Sequence, residues 1–243
     1  MRKIALATVL ATTVGMADFI GGEVNLGYYN HSPSGTAQNG DDVIDIESDL
    51  KWEDESDIFI KAYFEHPVPI IPNIKVGYSS FGHEGDGTVS KRFSWNSISF
   101  NLRDRIHTKL DLDIYDITLY YELLDNWLNL DAGINIKYLD GYIEVDTTTK
   151  HENSSIGLPI PMLYAKARVD VPTTDLSFQL EGNYITYDGN TLYDLEMGAR
   201  YSFMLGFGIE AGYKAFKLKI DDVDDTSMDA DFSGLYGKVV WDF

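Results

Sequence analysis

Four of the five histidines, His31, His83, His107 and His151, stand in stretches rich in carboxylates. Their neighbours include Asp41, Asp42, Glu84, Asp86, Asp104 and Glu152. An imidazole held by a carboxylate can draw a proton from water, the pairing on which general-base hydrolysis depends. That chemistry needs convergence in space, which loop-type spacing alone does not supply. His66 is of another kind: it lies in "HPVPIIPN", where a turn-fixing hydrogen bond is the expected role. The acidic runs 41–57 and 221–231 offer oxygen ligands of the type hard cations such as Ca²⁺ prefer. Neither run has the glycine and bidentate-glutamate spacing of an EF-hand, so solvated loops are the simpler expectation. No phosphate-cradling glycine loop, serine nucleophile elbow or HExxH motif occurs in the sequence. No catalytic residue and no cofactor is therefore expected.

Composition narrows the field further. The formal charge of −20 and a pI near 4.4 argue against nucleic acid as a partner, because phosphate would be repelled. Cysteine is absent, which excludes disulfides, thiolate catalysis and Cys-ligated metal. The chain begins with Arg2 and Lys3, an apolar run from Ile4 to about Val14, and small residues at Gly15 and Ala17. This pattern predicts a secretory signal peptide over residues 1–17. The apolar run is too short for a membrane helix. No cysteine precedes Asp18, so no lipoprotein attachment is expected.

The elements that must position these residues read as strands. Hydrophobicity alternates with period two, and the breaks are of two kinds. Short ones fall at 66–73, 123–126, 171–175 and 203–206, and longer polar ones at about 31–57, 82–108, 147–156, 188–191 and 221–229. Short turns alternating with long loops predict an all-β, closed antiparallel transmembrane barrel of about ten strands over residues 18–243, with the short turns periplasmic. Aromatic placement agrees. Tyr121, Trp127, Tyr201, Phe203, Phe207, Trp241 and Phe243 collect near the short turns, and Tyr138, Tyr184, Tyr187, Tyr213 and Phe216 at the opposite ends. Two belts at membrane-interface separation are foreign to a soluble β-sandwich. In "GLYGKVVWDF", Val239, Trp241 and Phe243 share one face, and the closing aromatic resembles the signal read by the barrel assembly machinery. The expected surroundings are the outer membrane, its lipid and its lipopolysaccharide, with divalent cations at the acidic loops as candidate partners.

The stretches "IFIKAYFEHPVPIIPNIKVGYSSF" and "DLDIYDITLYYELLDNWLNLDAGINIKYLDG" resemble the two most recognisable blocks of a family of Gram-negative outer-membrane β-barrel proteins. Glu65, His66, Pro67 and Pro72 form the first turn of the resemblance and Leu119 to Trp127 the next hairpin. The family has no established activity, so the resemblance implies location and architecture and supplies no catalytic residues.

Turn length fixes which residues of a hairpin oppose each other. Setting Phe203 against Phe207 places Tyr201 with Ile209 outside, and Arg200 with Glu210 and Glu196 with Lys214 inside. Setting Val171 against Leu176 places Phe178 with Val169 outside and Lys166 with Glu181 inside. Setting Leu123 against Leu128 predicts Asp116 opposite Asn135, one step from Lys137. Opposite signs recurring on the inner face predict a lumen filled by ion pairs, which disfavours a wide pore. The expected role is a non-enzymatic outer-membrane protein, structural or a very narrow pore. The alternatives are a surface hydrolase of the omptin type using an Asp/His rim site, and a loop-based binder using Phe93, Trp95 and Phe100.

Overall fold

Alternation governs the backbone, and it fixes both faces of a closed wall. A computed structural model describes residues 21–39, 42–68, 70–88, 93–95, 98–100, 104–147, 151–223 and 226–243; the expected signal peptide and Asp41 lie outside them. The strands are β1 (Gly21–Asn39), β2 (Asp42–Asp45), β3 (Glu55–Glu65), β4 (Asn73–Thr88), β5 (Phe93–Trp95), β6 (Ile98–Phe100), β7 (Arg105–Leu124), β8 (Leu128–Thr147), β9 (His151–Asp170), β10 (Leu176–Tyr187), β11 (Asn190–Ser202), β12 (Phe207–Val223) and β13 (Thr226–Asp242). Ten of them pair in chain order, each antiparallel to the next, and β13 returns to β1 to close the barrel. Strand β2 only extends β1, and β5–β6 is a separate hairpin.

Closure pairs each of the ten wall strands on both sides, as backbone in hydrocarbon requires, although β3 meets β4 only from Phe59 to Phe64 and β9 meets β10 only from Leu163 to Asp170. On the outer face the rows Ile74–Leu119–Ile134–Leu163 and Val76–Ile117–Ile136–Pro161 run from β4 to β9 without a polar side chain. Tyr78, Tyr115 and Tyr138 form the row above them, and Tyr121, Trp127, Tyr201, Phe203, Phe207 and Trp241 ring the short-turn end. From Tyr115 to Leu124 the belt spans about ten residues, or ~25 Å for tilted strands, the height of a bacterial outer membrane. The protein is an outer-membrane β-barrel. No helix among the described residues is long and apolar enough to cross a membrane.

Four features depart from the sequence reading. The long breaks are mostly strand: β4 runs to Thr88, β7 starts at Arg105, and β8 and β9 meet across 148–150, so the wall continues well above Tyr78, Tyr115 and Tyr138. The break at 188–191 is a tight turn, with both Asp188 and Gly189 at positive φ. Phe216 is not part of the outer belt; it shares the inward parity of Lys214 and packs on Phe81 inside the barrel. Asp116 faces Lys137, not Asn135, which faces Thr118. The turn closes with Leu124 opposite Leu130 instead of Leu123 opposite Leu128, and a one-residue irregularity between Glu122 and Leu124 takes back part of that offset, leaving the register shifted by two.

Candidate functional site

Inward parity places a charged layer in the lower lumen. Glu196 stands opposite Lys214, Arg200 opposite Glu210, and Lys166 opposite Glu181. The contacts these residues make, however, run mainly across the lumen. Arg200 grips Glu23 with two nitrogens at 2.8 and 3.0 Å and reaches Glu210 through Nε at 3.0 Å. Lys238 bridges Glu196 at 2.6 Å and Glu210 at 3.0 Å. Lys61 joins Glu196 to Glu181, and Lys75 adds a 2.8 Å contact to Glu181. Lys137 joins Asp116 to Asp194, which also binds Lys214. Lys166 makes no contact as short; its ammonium lies 4.3 Å from the centre of the Tyr63 ring. The layer alternates in sign, which is what allows so many charges to be buried together.

Below this layer a cavity of about 400 Å³ opens towards the short turns, lined by Glu23, Glu65, Asp131, Lys166, Arg200 and Asp242 among others. Within this layer and just above it, two cavities lined by described residues have volumes of only about 20 and 10 Å³. Neither holds more than about one water molecule.

The upper lumen is filled differently. Tyr29, Phe59, Phe81, Leu110, Leu112, Leu139, Met162, Phe216 and Phe232 form an apolar cluster there. It is roofed by the segment between β2 and β3, which folds inward. A single π-helical turn, Ile46–Leu50, buries Ile46 completely, and Asp45 caps it by accepting from the Ser48 amide at 2.7 Å. Trp52 then donates to Thr108 at 2.7 Å and stacks on His83 with an interplanar angle of 3°. Gly85 and Gly87 let this roof lie directly on β4: a Cβ at Gly85 would stand 2.5 Å from the Leu50 carbonyl oxygen.

His31 and His83 meet beneath the roof. Both are buried, facing inward from β1 and β4, rather than lying in loops. His31 Nδ1 and His83 Nε2 are 2.9 Å apart, His31 Nε2 is 3.1 Å from Asp57 Oδ2, and His83 Nδ1 is 3.1 Å from the Glu53 carbonyl oxygen. Asp57 also accepts from the Gly82 amide and the Ser80 hydroxyl. The chain of three ring contacts ends in two acceptors, so making all three takes three N–H protons. Two neutral imidazoles carry only two. With both rings neutral, two of the three contacts can be hydrogen bonds at one time. Burial, then repulsion from the facing His31, pushes His83 down to about 4. An open cleft of about 220 Å³ on the outer side brings Asp57, Glu55, Glu84 and Asp111 together with His83.

His107 and His151 belong to the opposite face of the wall and do not join this pair. His107 Nδ1 contacts Asp86 at 3.1 Å, and His151 Nδ1 contacts Asp146 at 2.5 Å. Glu144, Asp146 and His151 each place a ligand-type atom within 4.8 Å of the others. Asp104 precedes β7, and Glu152 faces Val145 across β8 and β9. His66 fixes its turn: its amide donates to Asn73 Oδ1 and its Nδ1 accepts from the Val68 amide. Val239 and Phe243 are exposed on the lipid side, and Trp241 stacks on Phe207. The side chains of Phe93, Trp95 and Phe100 lie outside the described residues.

Sequence reasoning missed Glu23, Lys61, Lys75 and Lys238, although the parity of β1, β3, β4 and β13 marks all four as inward. It also missed Asp57, which carries the inward parity of β3 into the break drawn at 31–57, and Trp52, which depends on how an aperiodic segment folds. No family model matches the chain, and no curated protein does. Among solved structures, the chain is similar to the translocator domain of the autotransporter NalP from Neisseria meningitidis, at 12% identity, TM-score 0.43, covering 98% of this chain and 92% of that one. It is also similar to the attachment invasion locus protein Ail of Yersinia pestis, at 11% identity, TM-score 0.32, covering 91% and 98%. A Pseudomonas aeruginosa FadL homologue is similar at 9% identity, TM-score 0.33, covering 93% and 91%.

Proposed function

We propose that this outer-membrane barrel is a non-enzymatic structural protein whose lumen admits nothing wider than single water molecules. One observation carries the reading: the ion-paired layer from Glu23 to Lys75 crosses the lower lumen, and two cavities lined by described residues within and just above it measure about 20 and 10 Å³. The apolar cluster and its roof add a second seal on the outer side. Hydrolysis is less well supported. Both nitrogens of His31 and both of His83 already have partners, so neither ring presents a free lone pair to the adjoining cleft. Conductance in planar lipid bilayers tests the proposal. The refolded barrel should give no stable channels with potassium chloride, and Arg200→Ala, which removes the widest cation of the layer, should create them. Stable channels from the unaltered protein would overturn it.

A further inference from the structure

Outside the barrel, above the outer tyrosine row, register lines up an alternating set of ligating side chains. Asp86 on β4 pairs with His107 on β7, His107 with Asp146 on β8, and Asp146 with His151 on β9. Their parity is outward, opposite to that of His83 and Thr108, whose side chains are buried within. Glu144 lies two residues before Asp146 and so shares its face. The ligand atoms of Glu144, Asp146 and His151 already lie within 4.8 Å of one another. Tetrahedral coordination at ~2.0–2.2 Å needs donor atoms about 3.3 Å apart, so the 2.5 Å His151–Asp146 contact would open and the longer separations close by side-chain rotation. His107 brings a second imidazole from the adjoining strand, where it stands directly opposite Asp146.

We propose that Glu144, Asp146 and His151, with His107 as the fourth ligand, bind a borderline first-row divalent cation of the Zn²⁺ class. The donor chemistry decides the class. Imidazole beside carboxylate suits Zn²⁺, Co²⁺, Ni²⁺ and Cu²⁺, whereas Ca²⁺ and Mg²⁺ take oxygen ligands almost alone. This separates the site from the acidic runs at 41–57 and 221–231, which offer carboxylates without a histidine. A bound ion would tie the ends of β7, β8 and β9 together where the chain passes through 148–150.

The test is a Co²⁺ titration of the refolded, full-length barrel in detergent, without a polyhistidine tag. Calorimetry gives the stoichiometry, and the visible absorption of Co²⁺ reports imidazole ligation. One ion per chain should bind, Zn²⁺ should displace it, and about a hundredfold excess of Ca²⁺ should not. His151→Ala and Asp146→Asn should each weaken binding by about tenfold or more. Both side chains lie on the outer wall, and the heat-modifiable mobility of the barrel checks that each variant still folds. His66→Ala, in the periplasmic turn, should bind as the unaltered protein does. Absence of Co²⁺ binding, unchanged affinity in His151→Ala, or displacement by Ca²⁺ would each overturn the proposal.

Discussion

Arg200→Met should cost the barrel about 3–5 kcal/mol, the range expected when one partner of a buried ion pair is removed. The cost should fall unevenly on the two partners. Glu210 keeps Lys238 at 3.0 Å, the Tyr236 hydroxyl at 2.5 Å and the Gln179 amide at 2.9 Å. Glu23 keeps the Asn25 amide at 2.6 Å, with Lys166 and Lys238 near enough to act on its charge. Most of the penalty should therefore fall on Glu23, the less well compensated carboxylate. Adding Glu23→Gln to Arg200→Met should return about 1–3 kcal/mol, the desolvation cost of a single buried charged or polar group. Glu23→Gln alone should cost less than Arg200→Met, because Arg200 retains Glu210. Urea unfolding in phospholipid bilayers, followed by tryptophan fluorescence, measures all three. An Arg200→Met barrel within about 1 kcal/mol of the unaltered one would falsify the argument, as would a double variant no more stable than Arg200→Met.

Ile117 lies on the lipid face between Tyr115 and Tyr121, so Ile117→Arg should destabilise the barrel in bilayers by about 2–4 kcal/mol, with a much smaller effect expected if that face met water. Gly87→Ala places a Cβ against the Asp49 carbonyl, so the roof should lift and Trp52 fluorescence shift to the red while strand content by circular dichroism stays constant; an unshifted spectrum argues against a roof seated on β4. His83 is depressed to about 4 from the ordinary 6.5, and it faces Asp57 and Asp54 as well as His31. The unfolded chain then binds the proton more readily: stability is full above pH 6.5, falls as the pH drops towards 4 and levels off below. His83→Gln should flatten that slope in thermal melts, and an equal slope in both proteins would count against the buried pair.

Strand parity was legible because one face of every strand meets lipid, and a one-residue slip would carry Arg200, Glu196 and Lys214 into hydrocarbon. The hairpin of β11 and β12 could be registered from Phe203 and Phe207 alone, and their backbones do meet across the turn. The hairpin of β7 and β8 could not, because alternation reveals neither where the turn closes, at Leu124 and Leu130, nor the extra residue at Glu122–Leu124. The division of the histidines was also hidden. Whether His83 faces in and His107 out follows from parity only once 82–108 is known to be mostly strand. The roof carries no period at all, and its one visible trace is the glycine spacing of "GHEGDGT" on β4.

Arg200 and Glu23 are separated by 177 residues. The hairpins that bracket Arg200 close short loops, whereas its contact with Glu23 waits for β13 to find β1. Contacts of such long sequence separation form late, since the loss of chain entropy precedes any return. Until that seam zips, the guanidinium has Glu210 as its one close carboxylate, with the Gln179 side chain at 3.4 Å. An unclosed barrel thus carries a half-satisfied cation facing an open lumen, and sealing the wall and satisfying that cation become a single cooperative event. The chain's final folding step is in this way made steep, and partly closed forms are left short-lived.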